Sequence, residues 1–136
     1  MKQYRILFLQ LLLLGSIYCT ATCPKNPEIE SSQSVITITT TVTYGSGTTI
    51  SDQIVIDSGG VLIITGTVTM NSSGLIKILN NGHLIVNGGT LQGAKVEMVS
   101  GGTLVVINNG TINRASDSAL VAPYGANVYI YSGTVN

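Results

Sequence analysis

The sequence predicts an all-β fold, a right-handed parallel β-solenoid of about four to five coils of 21–23 residues, and three observations predict it. The first is a Gly-Thr-apolar-polar tetrad that occurs four times: Gly66-Thr67-Val68-Thr69, Gly89-Thr90-Leu91-Gln92, Gly110-Thr111-Ile112-Asn113 and Gly133-Thr134-Val135-Asn136, at intervals of 23, 21 and 23 residues. The second is that a glycine turn and an apolar run precede each tetrad, SGGVLII (58–64), NNGHLIV (80–86), SGGTLVV (100–106) and YGANVYI (124–130). A further short run precedes each turn: QIVID (53–57), LIKIL (75–79), KVEMV (95–99) and ALVA (119–122). The third is composition. Only 9% of the 136 residues are charged, while Gly, Thr, Ser, Asn, Val and Ile dominate. Helical domains draw on Glu, Lys and Ala to cover their wet faces, and disordered chains on charge; Thr, Ser and Asn solvate a β-surface without it.

Three β-runs per repeat, parted by Gly or Asn, suit one solenoid coil. The chain must return to its starting angle, so turns recur at fixed phase, and Gly and Asn tolerate the left-handed conformations that corners demand. Successive coils then hydrogen-bond at a spacing of ~4.8 Å, and the crossover is expected to be right-handed. An antiparallel sandwich would alternate strand directions and gives no reason for a tetrad at one period. Val68, Leu91, Ile112 and Val135 are expected to form one interior column, with Ile54, Ile56, Leu62 and Ile64 in others. Upstream, VITITTTVT (35–43) alternates, with Ile36, Ile38 and Val42 on one face and Thr37, Thr39, Thr41 and Thr43 on the other, as one half-buried strand would.

The N-terminal residues follow a different logic. Lys2 and Arg5 precede an apolar run from Ile6 to Leu14 interrupted by Gln10, and Cys19 and Ala21 stand at the small-residue spacing of a cleavage site. This describes a secretory signal peptide over 1–21, too short for a transmembrane helix, followed by a linker over 22–34 and the solenoid over 35–136. The expected localisation is export, to the medium or the cell surface. Lipidation at Cys19 or Cys23 is the rival, but Tyr18 or Thr22 occupies the position where a lipobox carries a small residue. Cleavage after Ala21 leaves Cys23 as the one thiol, so no intrachain disulfide is available. It also leaves four basic side chains against six acidic ones, with no basic cluster, which argues against nucleic acid and anionic membrane as partners.

The repeat texture, GG-x-L-x-V followed by GGT, resembles that of autotransporter passenger domains and is similar to the pectate-lyase-like β-helices of exported Bacteroidetes proteins. The resemblance covers roughly residues 50–136. It implies a secreted β-helix, adhesin-like or pectin-lyase-like, and assigns no particular activity.

Chemistry on such a scaffold requires carboxylates stacked on adjacent coils, for acid–base work or for calcium. The repeat-region acids are Asp52, Asp57, Glu97 and Asp117, and aligning the turns sets Asp57 opposite Leu79 and Val99. Asp117 falls in an apparent insertion, RASDSA. His83, the one histidine, has no second ligand beside it in the sequence, and no serine lies in a G-x-S-x-G elbow. The sequence therefore predicts no catalytic residue, no metal site and no cofactor. Thr67, Thr90, Thr111 and Thr134 should form a ladder that resembles the rungs of ice-binding solenoids, but the second threonine of the rung, Thr69, becomes Gln92, Asn113 and Asn136. Tyr124, Tyr129 and Tyr131 make the candidate ligand surface: with Val128 and Ile130 inward, Tyr129 and Tyr131 face out, where rings stack on sugars.

The expected function is that of a non-catalytic, exported structural or adhesion-type module with glycans or cell-surface components as partners. The alternative is a carbohydrate-binding or truncated polysaccharide-processing β-helix. Asn136 closes the fourth tetrad with no capping sequence after it, so the solenoid is expected to be incomplete at this end and to self-associate end to end. Mass spectrometry of the exported product should find an N-terminus just after Ala21; a diacylglyceryl-cysteine at position 19 or 23 would replace this reading with the lipoprotein.

Overall fold

The structure, a computed structural model, describes residues 34–71, 73–114 and 117–136, within the compact unit Gln33–Asn136. The expected signal peptide, Cys19, Cys23 and all of the expected linker but Ser34 lie outside the described residues. The chain winds through five coils of three strands each. The first holds β1 (Val35–Ile38), β2 (Thr41–Tyr44) and β3 (Thr48–Ile50), and the second β4 (Gln53–Ile56), β5 (Val61–Ile64) and β6 (Thr67–Met70). The third holds β7 (Leu75–Ile78), β8 (His83–Asn87) and β9 (Thr90–Gln92), and the fourth β10 (Lys95–Met98), β11 (Thr103–Ile107) and β12 (Gly110–Asn113). The fifth holds β13 (Leu120–Val121), β14 (Asn127–Ile130) and β15 (Gly133–Val135). Among the described residues no strand pairs with its chain neighbour. Each pairs in parallel with its equivalent one coil away, giving three sheets ordered β1-β4-β7-β10-β13, β2-β5-β8-β11-β14 and β3-β6-β9-β12-β15.

The register turns the sequence repeat into columns. Val68, Leu91, Ile112 and Val135 are successive partners in the third sheet, and the first three are completely buried. Ile54, Ile76 and Val96 stack in the first sheet, and Leu62, Leu84 and Leu104 in the second, all 0–1% exposed. The interior is thus a dry aliphatic stack, and no polar or charged side chain among the described residues is buried. Strand burial alternates, half-buried then buried along both β4 and β5, because the pleat sends successive side chains to opposite faces. This settles the phase of the doubly apolar VLII and LIV runs: Leu62, Ile64, Leu84 and Val86 point in, while Ile63 and Ile85 point out.

The corner between the first and second sheets is one turn used four times. The amides of Gly60, Gly82, Gly102 and Ala126 donate to the carbonyls of Asp57, Leu79, Val99 and Pro123 three residues back, at 2.9–3.1 Å. The residue before each donor, Gly59, Asn81, Gly101 or Gly125, has φ between 59° and 85°, a region that Gly and Asn enter at low cost. These residues also chain along the axis, Gly59 N–H donating to Asn81, Asn81 to Gly101 and Gly101 to Gly125. A Cβ on Gly60 would collide with the Ile38 carbonyl oxygen, and one on Gly82 would lie 2.6 Å from that of Ile56. Stacked corners leave no room there for a side chain.

The first coil departs from the sequence reading. VITITTTVT is two strands, β1 and β2, in different sheets, with a corner at Thr39 and Thr40. The corner keeps the parity of the inward residues, Ile36 and Ile38 before it and Val42 and Tyr44 after it, so the alternation runs through unbroken. The third strand of that coil, TTI (48–50), is offset by one residue from the tetrads: Thr48 is the partner of Val68, and its hydroxyl donates to the Gly45 carbonyl at 2.9 Å.

Leu91→Asp places an unpaired charge in the dry column and should cost about 4 kcal/mol or more in chemical denaturation. Gly60→Ala should cost about 1–3 kcal/mol by overpacking the corner. A parent-like unfolding midpoint for Leu91→Asp would contradict the interior assignment, and one for Gly60→Ala would contradict the corner packing.

Candidate functional surface

The three outer faces differ in chemistry, and the register of each sheet sets the difference. All charged residues on strands lie in the first sheet, as Lys77, Lys95 and Glu97. Glu97 is the register partner of Lys77 and holds Lys95 Nζ on Oε1 at 2.6 Å. The other acids among the described residues have local partners of their own. Ser34 Oγ donates to Asp52 Oδ1, the Ser58 amide donates to Asp57 Oδ1 at 2.7 Å, and Arg114 Nη2 stands 4.0 Å from Asp117 Oδ2. The axial bond from Leu79 N to Ile56 O, and that from Val99 N to Ile78 O, put Leu79 and Val99 above Asp57, as the aligned turns predict. Among the described residues no group of three His, Cys, Asp or Glu side chains could hold a metal ion. Nor is any helix there long and apolar enough to cross a membrane.

The third sheet presents an uncharged polar face. Thr67, Thr90, Thr111 and Thr134 are successive register partners, the ladder that the tetrad predicts. Beside it run Thr49, Thr69, Gln92 and Asn113, so threonine gives way to amides after the second coil. Thr69, Met70, Gln92, Gly93 and Asn113 line a shallow depression of about 270 Å³ at this edge.

The second sheet is the aromatic face. Val128 and Ile130 continue the inner columns of Leu104 and Val106, which turns Tyr129 and Tyr131 outward. The tyrosine rings lie parallel, 4° between planes and 6.2 Å between centroids, with 45% and 75% of their surfaces exposed. The two-residue period of the strand makes this pair, because it projects both side chains from the same side of one pleat. Tyr124 is apart from them, fully exposed on the turn that leads into β14. Behind Tyr129 the outward register continues through Val105, Ile85 and Ile63 to Thr43, and this aliphatic row went unnoticed in the sequence. A column with one member every 20-odd residues leaves no local pattern; aligning the turns and following the odd positions of VLII, HLIV and TLVV would have exposed it.

At the end of the same sheet Val128 and Ile130 are 37% and 47% exposed, although their columns are dry in the coils before them. In the first coil the residues that end the same columns, Val42 and Tyr44, are partly buried. No protein-family model, no curated protein and no solved structure matches the chain.

Proposed function

We propose that this protein is a non-catalytic, exported structural or adhesion-type module in which the stacked coils are the scaffold and the outer faces make the contacts. One observation carries the reading: the register separates three faces of distinct chemistry while each acidic side chain among the described residues has a neighbour of its own. Chemistry on stacked strands would need two carboxylates brought together, and their placement works against it: Asp52 and Asp57 stand at opposite ends of β4, and Glu97 and Asp117 lie further along the chain. Export rests on Lys2, Arg5 and the Ile6–Leu14 run, and a kinship with autotransporter passengers and pectate-lyase-like β-helices on the glycine texture of the coils. The partners in this reading are glycans or other cell-surface components, with no nucleic acid and no cofactor.

The parallel Tyr129–Tyr131 pair favours a second reading, a carbohydrate-binding or polysaccharide-processing β-helix, since exposed coplanar rings stack on sugars. End-to-end self-association belongs to the first reading.

Incubation with plant, algal and host glycans and cell-surface preparations tests the function, with retention and product formation read in the same samples. Retention without turnover is expected. Turnover of any glycan would overturn the non-catalytic assignment, and failure to adhere to any material would overturn the adhesive one. Sedimentation at rising concentration should show growing assemblies; a cooperatively melting monomer at high concentration would defeat self-association.

A further inference from the structure

We infer that the outer face of the second sheet binds one uncharged polysaccharide chain laid along the solenoid axis. The inference deepens the adhesive reading above and rests on it. Its central row, Ile63, Ile85, Val105 and Tyr129, runs from coil to coil as successive register partners, each outward-facing and partly exposed. One side is flanked by His83 and Thr103, paired with each other on β8 and β11. The strip is therefore apolar down its middle, polar along one margin from His83 through Thr103 to Asn127, with Val61 before them, and ends on an aromatic ring. A pyranose chain has the matching pattern, with C–H faces that pack on aliphatic and aromatic groups and hydroxyls at its edges.

Charge selects among the occupants. None of β2, β5, β8, β11 and β14 carries an Asp, Glu, Lys or Arg, so apart from the single His83 imidazole nothing on the face would neutralise an acidic polymer. An extended peptide would seek free backbone donors and acceptors, and in the interior strands of this sheet both neighbours already take them. A second copy of the chain needs area. Five strands at ~4.8 Å and three outward positions per strand give a strip of about 300 Å², well under the roughly 800 Å² per partner of a stable protein interface. A narrow polymer that extends beyond the strip needs no such area, and several molecules can hold the same chain.

The test is retention of the full chain on insoluble neutral glycans (cellulose, chitin, a β-1,3-glucan) and on the acidic polymers polygalacturonate and alginate. Retention on at least one neutral glycan is expected, with weaker retention on the acidic ones. Ile85→Glu should weaken it about tenfold or more, the loss typical of a central contact. Ile85→Thr keeps the β-branched side chain and should weaken it less, and Lys77→Gln, on the first sheet, should leave it unchanged. Thermal melting of each variant separates lost binding from lost folding. Retention undiminished in folded Ile85→Glu, or that favours the acidic polymers, would overturn the inference. Failure on every neutral glycan while the chain still adheres to other cell-surface material would overturn it too, and would leave the adhesive reading standing.

Discussion

Parallel hydrogen bonding between equivalent strands of successive coils is the constraint from which the other features of this chain follow. A strand that pairs one full turn away has to arrive at the same angle and in the same register each time. Corners must then superimpose, and the positive-φ residues Gly59, Asn81, Gly101 and Gly125 recur one above another because any other placement would shift the next strand. The same constraint packs like on like. Leu84 meets Leu62 on one side and Leu104 on the other, in a column that is fully buried. Burying one such side chain contributes roughly 1.5–3 kcal/mol, whereas a neutral hydrogen bond nets only about 1 kcal/mol. The ladders therefore fix the geometry, and the aliphatic columns supply most of the stability.

Register also sorts the surface. A residue that faces out in one coil lies over its equivalent in the next, so small preferences at each position add up to faces of one character. Lys77, Lys95 and Glu97 gather on the first sheet, aliphatic and tyrosine side chains on the second, and threonines and amides on the third. Surface recognition on such a scaffold is linear. The chemistry is spread along the axis in steps of one strand spacing, which suits extended partners better than compact ones.

Most of the fold was legible because the repeat is exact where packing is tightest. The Gly-Thr tetrads and the glycine turns mark positions at which a neighbouring coil leaves no freedom, and Leu91, Ile112 and Val68 followed from them. The first coil was not legible, for physical reasons. Its corner at Thr39 and Thr40 contains no glycine and preserves the inward parity, so a bend between two sheets looks like a straight strand. Its third strand is offset by one residue, which puts Thr48 in the Val68 column and hides the match. Tyr129 and Tyr131 could be placed from the phase of Val128 and Ile130, but their aliphatic continuation through Val105, Ile85 and Ile63 depends on long-range register.

The measurement closest to the central claim is a methyl and amide nuclear Overhauser map of the chain in solution. In-register parallel coils predict contacts from the Leu91 methyls to those of Val68 and Ile112, and from the Leu84 methyls to those of Leu62 and Leu104. The amides of β7, β8 and β9 should exchange slowly, because their partners lie on both sides. Close Hα–Hα contacts between chain neighbours such as β5 and β6, the signature of antiparallel hairpins, would contradict it.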